Sequence, residues 1–165
     1  MTQSGPASKS LVQLSFERLF QVAVLLMLLM LTGAAGAADL DLNAYRGKVV
    51  YLDFWASWCT PCRESFPWLS NLEREYGAQN LVVIGVNVDQ DRRRAERFLD
   101  GTPADFSIVY DPRGDLATSY KVTSMPSAVL IDRGGRVRFQ HNGFSTKTKE
   151  LYEEHVRTLL AETAH

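Results

Sequence analysis

Hydrophobic and polar positions divide the chain into an apolar N-terminal stretch and a longer part in which strand-like and helix-like patterns alternate. The apolar stretch covers residues 19–31, and only Gln21 interrupts it. Further along, residues 49–55 and 81–88 are almost continuously apolar. Short runs of this kind are typical of strands buried on both faces of a sheet. The pattern therefore predicts two central strands.

Helical spacing follows the first predicted strand. Apolar residues recur three or four positions apart over residues 60–76, and Gly77 is expected to end this helix. A second helix is predicted over residues 91–99, with Asp91 as its N-cap and Gly101 beyond its end. The remaining predicted elements are a strand at 106–110, a helix at 114–120, a hairpin of strands at 127–131 and 136–141, and a closing helix at 146–160. This order predicts an α/β fold, with a mixed central sheet flanked by helices.

The N-terminal stretch has the layout of an export signal. Lys9 and Arg18 precede the apolar run, and small residues with an Ala35-x-Ala37 site follow it. Such a sequence is typical of a secretory signal peptide, cut here after Ala37 or Ala38.

An uncleaved membrane anchor is the alternative for this leader. Residues 19–38 are just long enough to span a bilayer, although their last third is only weakly apolar. Both interpretations give a leader at residues 1–38 and one domain at residues 39–165, located in the periplasm or on the outer face of a membrane.

Composition and charge indicate a globular protein and do not favour binding to nucleic acid. Hydrophobic residues make up 45% of the chain and charged residues 22%, which is typical of a globular protein. The formal net charge is −1 and no basic stripe stands out, so nucleic acid is not an expected partner. No sequence pattern indicates a cofactor, and we expect none.

Cys59 and Cys62 are the only cysteines, and they form a C-x-x-C motif. A zinc site of this type needs a second pair of ligands, and His141, His155 and His165 are not spaced to supply one. We therefore expect no metal. A disulfide across two residues closes too small a loop to stabilise the fold much, which favours a bond that is made and broken.

The position of the motif, between a buried strand and a helix, predicts its chemistry. Cys59 is expected at the helix N-terminus, where free N–H groups and the helix dipole stabilise a thiolate. Cys62, one turn further along, is expected to resolve the mixed disulfide that Cys59 forms. Pro61 suits the first turn, and because no histidine lies between the cysteines, the pair is expected to suit a reductant better than a strong oxidant.

Asp53 is the only residue in the first predicted strand whose side chain is normally charged at neutral pH. A buried carboxyl near Cys62 could accept its proton during resolution and return it later. The alternative is that Asp53 lies at the sheet surface or accepts ordinary hydrogen bonds. Trp58, next to Cys59, is interpreted either as an apolar platform for a substrate or as a residue packed against the helix.

Other polar features have simpler interpretations. The run Arg92–Arg94 is expected to be the solvated face of a short helix, or else a patch for an acidic partner. His155 fits the pattern of the last helix and is expected to be structural. His141 ends a strand and has no evident partner.

The run from Asp53 to Arg63, with its Phe-Trp-x-x-Trp-Cys-x-Pro-Cys motif, resembles the active-site segment of the exported TlpA/ResA-like reductases of the thioredoxin superfamily. The resemblance covers nearly all of residues 40–162. It implies a thioredoxin fold with a central strand–helix insertion at residues 106–120.

The resemblance also implies further site residues. Pro126 would be preceded by a cis peptide bond and, with Met125, would help to hold an extended substrate segment. Thr60 and Pro61, between the cysteines, and Trp58 are expected to contact the same substrate.

This chain departs from the family pattern at one position. Members often have Glu three residues after the second cysteine, where this chain has Ser65. Glu64 lies on a different helical face and cannot simply inherit that role. Asp53 matches the buried aspartate of thioredoxin, and our hypothesis is that it moves the proton.

The expected activity is reduction of disulfides in exported proteins, either in cytochrome c maturation or in general envelope thiol reduction. The expected partners are disulfide-containing exported proteins, with a membrane thiol carrier as electron donor. The alternatives are a disulfide oxidase or isomerase, and a Cu(I)-binding metallochaperone that uses the two thiolates.

Overall fold

The computed structural model describes residues 20–21 and 40–163. Phe20 and Gln21 are helical, and the rest of the expected leader lies outside the described residues, so the signal peptide and the membrane anchor remain predictions. Within the described part, none of the helices has the length and apolar character needed to span a bilayer.

Five strands and four α-helices make up residues 40–163. The strands are β1 (Val49–Trp55), β2 (Leu81–Asn87), β3 (Ser107–Tyr110), β4 (Ser127–Ile131) and β5 (Val137–Asn142). The helices are α1 (Thr60–Tyr76), α2 (Arg92–Gly101), α3 (Asp115–Ser119) and α4 (Lys149–Ala161), with short 3-10 helices at Leu42–Tyr45 and Gly77–Gln79.

The strands form one mixed sheet in the order β3-β2-β1-β4-β5. β1 and β3 each pair with β2 in parallel, whereas β4 pairs antiparallel with both β1 and β5. The mixed sheet predicted from the alternation of elements is confirmed. The predicted insertion corresponds to β3 and α3, and β3 is an edge strand.

Every residue of β1 is buried, because the strand is central and covered on both faces. Tyr51 and Trp55 belong to the core beneath α1 and α4, whereas Leu52 and Phe54 belong to the core on the other face. Alternate side chains of one strand thus supply two cores. This arrangement explains the unbroken apolar run in the sequence.

One predicted helix end is confirmed and one was wrong. α1 ends at Tyr76 with Gly77 as its C-cap, as predicted. Gly77 has right-handed helical dihedrals and begins a 3-10 helix, and Asn80 is the residue that adopts the left-handed conformation, with φ of 69°. Gly101 is the last residue of α2 rather than the first residue beyond it. The N-cap at Asp91 is confirmed, since its side chain accepts the N–H of Arg93.

Candidate active site

Cys59 and Cys62 lie where the chain passes from β1 to α1. Cys59 is the N-cap residue of α1, with extended dihedrals, and a disulfide joins it to Cys62 across a Cα–Cα distance of 5.3 Å. Its Sγ accepts the backbone N–H of Cys62 at 3.2 Å. The sulfur therefore occupies the place of a capping oxygen at the positive end of the helix dipole.

The two sulfurs differ in their surroundings. Cys59 retains 4% of its surface exposed, whereas Cys62 is fully buried. Trp58 is 67% exposed, which does not agree with the interpretation that it packs against the helix, and its role as a platform for a substrate stays a prediction. Thr60 and Pro61 are also exposed, in the first turn of α1. Four of the predicted site residues thus lie together around Cys59.

Hydrogen bonds connect the loop before Cys59 to the residues at the end of β2. The buried carboxylate of Asp89 accepts the backbone N–H of Ser57 at 2.8 Å and its hydroxyl at 2.9 Å. Asn87 Nδ2 donates to the same carboxylate at 2.8 Å. Asp89 was not among the site residues predicted from the sequence. Its position at the carboxyl end of the strand beside β1 was the available signal.

Met125 and Pro126 lie at the same end of the sheet as the cysteines. The bond between them is cis, as the resemblance implies. Ser127, the next residue, pairs with Phe54 near the end of β1. Met125 packs against the core cluster that contains both cysteines.

Asp53 is buried on the face of the sheet that α1 covers. Its register partners in β2 and β4 are the small residues Gly85 and Ala128, and the residue as a whole is 3% exposed. Oδ2 has no hydrogen-bond partner among the described residues. Burial raises the pKa of Asp53 well above its usual range, because the charged form loses its hydration. The alternative of a surface carboxylate with ordinary hydrogen bonds does not agree with this environment.

The residues after Cys62 have different surroundings. Ser65 is buried, and its hydroxyl donates to the carbonyl of Cys62 at 3.1 Å. Glu64 is exposed on α1. Asp53 is therefore a buried carboxyl group, and Glu64 is a solvated one.

His141 has a partner that we did not predict. Its Nε2 lies 2.8 Å from Nδ1 of His155, and its ring stacks on Tyr152 with centroids 3.8 Å apart. Burial lowers the pKa of His141 from 6.5 to about 4, and the neighbouring His155 adds to the effect. The expectation that His141 lacks a partner was wrong, because the contact joins β5 to α4 and no local pattern reveals it. Among residues 20–21 and 40–163, no cluster of three or more His, Cys, Asp or Glu side chains could hold a metal ion.

Comparisons with known proteins agree with this geometry. The family model described as Redoxin matches residues 13–158. The thiol-disulfide oxidoreductase ResA of Geobacillus kaustophilus is 35% identical over 118 residues, which are 72% of this chain and 67% of that protein.

Two solved structures are also similar. A putative thiol:disulfide interchange protein DsbE from Chlorobium tepidum has a TM-score of 0.71 and 44% identity, over 73% of this chain and 85% of that one. The exposed lipoprotein thioredoxin Etrx1 from Streptococcus pneumoniae has a TM-score of 0.64 and 31% identity, over 72% of this chain and 90% of that one. These matches confirm the predicted thioredoxin-like fold.

Proposed function

This chain belongs to the Redoxin family and is a thiol–disulfide oxidoreductase of the ResA type, and from that premise we propose that it reduces disulfide bonds of exported proteins on the outer side of a membrane. Cys59 and Cys62 supply the reducing dithiol. Apocytochrome c and other envelope proteins with exposed disulfides are the substrate class.

The position of Cys59 at the start of α1 is the observation that carries this proposal. Its sulfur accepts the N–H of Cys62 at the helix N-terminus, where the first backbone N–H groups have no acceptor within the helix. In the reduced protein these groups and the helix dipole favour the thiolate of Cys59. The thiolate is the species that attacks a disulfide, so Cys59 is the nucleophile.

Disulfide exchange then proceeds in two steps that transfer two electrons. The Cys59 thiolate attacks one substrate sulfur, the substrate S–S bond breaks, and the other substrate sulfur leaves as a thiolate. The ionised form of Asp53 accepts the proton of Cys62, and Cys62 attacks Sγ of Cys59, which releases the second substrate sulfur.

The protons and electrons balance across these steps. Asp53 returns its proton to one substrate thiolate, and water supplies the proton for the other, replacing the proton that Cys59 had released. The substrate becomes a dithiol and the protein a disulfide. A thiol carrier in the membrane reduces that disulfide again by the same chemistry.

Two features support reduction outside the cytoplasm. Pro61 and the absence of a histidine between the cysteines leave the Cys59 thiolate without the side-chain donor that would make the disulfide strongly oxidising. The charged and apolar pattern of residues 1–38 supports export. The pneumococcal relative is itself named an exposed lipoprotein.

The reduction potential of the Cys59–Cys62 pair tests the direction of electron flow. Equilibration with glutathione or dithiothreitol buffers, followed by alkylation and mass spectrometry, measures it. We expect a value closer to that of thioredoxin, about −270 mV, than to that of the oxidant DsbA, about −120 mV. A value near the latter would contradict the proposal and favour a disulfide oxidase or isomerase.

A trapping experiment tests the substrate class. A Cys62→Ser variant lacks the resolving thiol, so we expect it to accumulate exported proteins as mixed disulfides on Cys59 that dithiothreitol releases. The matched Cys59→Ser variant lacks the nucleophile and should trap none. Equal recovery from the two variants would contradict the assigned roles.

A further inference from the structure

Three arginines near the disulfide lack a carboxylate partner. Within residues 40–163, eight ion pairs involve arginine, and none of them includes Arg63, Arg94 or Arg97. Arg46 and Arg133, which also form no ion pair, donate instead to backbone carbonyls. In this part of the chain, the arginines with neither a carboxylate nor a carbonyl partner are therefore concentrated at one place.

That place is an open groove lined by Ser57, Arg63, Arg94, Arg97 and Phe98, which we call the arginine groove. Ser57 lies two residues before Cys59, and Arg63 directly follows Cys62. The segments that hold the two reactive sulfurs thus form one side of the arginine groove, and α2 forms the other.

The arginine groove continues toward the exposed Trp58. Arg94 also lines an adjoining groove with Trp58, Asp89 and Asp91. The two carboxylates there already have donors, Asp89 from Ser57 and Asp91 from Arg93. They leave Arg94 without an ion pair, so an extended chain lying on Trp58 passes the free guanidinium of Arg94.

Local packing orients these side chains. The Arg63 guanidinium lies 4.7 Å from the ring centroid of Phe98 and donates to Thr102 Oγ1 at 3.2 Å. Arg94 and Arg97 are three residues apart on α2, so they share a helical face. Two helices therefore direct three positive groups to one side of the active site.

We propose that the arginine groove binds an acidic segment of the polypeptide whose disulfide Cys59 attacks. The inference rests on the proposed function and specifies its substrate class as chains with Asp or Glu near the reacting cysteine. Charge complementarity favours this occupant, because guanidinium groups pair with carboxylates in two-point contacts. A protein of formal net charge −1 would otherwise offer an acidic chain no general attraction.

A single-turnover assay with two matched peptides tests the proposal. Each peptide contains one disulfide that joins a fluorophore to a quencher, with Glu at flanking positions in one and Gln in the other. Pre-reduced full-length protein is mixed with each peptide, and the second-order rate constant is measured. We expect the acidic peptide to react about fivefold faster, a ratio that a few exposed ion pairs can supply, and we expect the ratio to approach one in 0.5 M salt.

Variants connect that ratio to the arginine groove. In Arg94→Gln/Arg97→Gln the ratio should fall close to one, and Arg94→Lys/Arg97→Lys should restore most of it. Arg157→Gln, which removes another exposed arginine, on α4, should leave the ratio at its wild-type value. An unchanged ratio in the double Gln variant would overturn the proposal.

The remaining outcomes separate this inference from the function on which it rests. Equal rates for both peptides in the wild-type protein would overturn the acidic-segment proposal and leave disulfide reduction intact, whereas failure to reduce either peptide would overturn both. The last part of the experiment measures binding of the protein to vesicles that contain phosphatidylglycerol. Arginine-dependent binding to them without peptide selectivity would assign the arginine groove to a lipid surface and overturn the proposal.

Discussion

The carboxylate of Asp89 accepts hydrogen bonds from both the backbone N–H and the hydroxyl of Ser57, at 2.8 and 2.9 Å. Ser57 lies in the loop that leads to Cys59, and Asp89 follows β2, the parallel neighbour of β1. Since parallel strands end at the same edge of the sheet, a residue after one strand can hold the loop after the other. Asp89 is therefore a positioning residue for the nucleophile.

Replacing Asp89 by Ala should destabilise the protein and slow attack by Cys59. Three donors, Ser57 N, Ser57 Oγ and Asn87 Nδ2, lose their acceptor in this buried place. We expect the free energy of unfolding to fall by about 2–3 kcal/mol, measured by urea denaturation. The rate of mixed-disulfide formation, measured by stopped flow, should fall severalfold.

The Ser57→Ala variant is the matched control for Asp89→Ala. It removes the hydroxyl bond and keeps the backbone bond that fixes the loop, so its cost should be about 1 kcal/mol, with little change in rate. A rate loss in Ser57→Ala as large as that in Asp89→Ala would contradict a positioning role for the backbone contact.

Asp53→Asn should slow resolution of the mixed disulfide at neutral pH by at least tenfold, since the buried amide cannot accept the proton of Cys62. Glu64→Gln, on the exposed face of α1, should change this rate by less than about twofold. Rapid-quench alkylation after mixing with a substrate disulfide measures the lifetime of the intermediate. Similar effects of the two substitutions would contradict our assignment of the proton acceptor.

Asp53 should also make stability depend on pH. Burial raises its pKa above the unfolded value, so the folded protein keeps the proton that the unfolded chain releases. Stability from this group is fully present below about pH 4 and is lost as pH rises through the raised pKa. Compared with wild type, Asp53→Asn should gain relative stability as pH rises above about 4, by about 1.4 kcal/mol for each pH unit between the unfolded and folded pKa values. Urea titrations at each pH measure the difference in unfolding free energy between the two proteins. A difference that stays constant with pH would contradict this prediction.

His141 should produce the opposite dependence at acid pH. Its pKa is lowered from 6.5 to about 4. Between these two pH values the unfolded chain therefore binds a proton at this histidine, whereas the folded protein does not. Stability is complete above about pH 6.5 and falls by roughly 3 kcal/mol as pH drops to about 4. His141→Phe keeps a ring against Tyr152 and has no proton to bind. Between pH 6.5 and about 4, the difference in unfolding free energy between wild type and this variant should change by roughly 3 kcal/mol. A difference that does not change with pH would contradict the predicted role of His141.

Local sequence patterns predict much of the fold because local forces determine those parts of it. The apolar run of β1 needs burial on two faces, and α1 begins at Thr60 and ends at Tyr76, the residues that its periodicity indicates. The placement of Cys59 at a helix start follows from the same two elements. Fine boundaries were harder, since α2 continues to Gly101, two residues beyond its predicted end at Leu99.

The parts that could not be predicted depend on contacts between distant segments. The bond from His141 to His155 requires β5 to lie beneath α4, and the arginine groove requires α1 to lie beside α2. Neither juxtaposition leaves a periodic trace in the sequence. For the run Arg92–Arg94 the sequence allowed a solvated face or an acidic partner. In the structure, the three arginines differ. Arg92 and Arg93 have carboxylate partners, whereas Arg94 has none among residues 40–163.

Arg133 offers a contrast to the arginine groove, because it serves stability and lies far from the disulfide. Its guanidinium donates to the carbonyls of Gly47 at 2.8 Å, Leu160 at 3.1 Å and Gln79 at 3.3 Å. These contacts connect three chain segments at the end of the sheet where β1 begins, and the cysteines follow its other end, roughly 20 Å away. Arg133→Ala should therefore lower the free energy of unfolding by about 2 kcal/mol in urea denaturation and leave the second-order rate constant with a peptide disulfide unchanged. Arg133→Lys keeps the positive charge but has fewer N–H donors. Its stability should therefore lie between those of wild type and Arg133→Ala. A slower reaction without loss of stability would show that this end of the sheet is coupled to the active site.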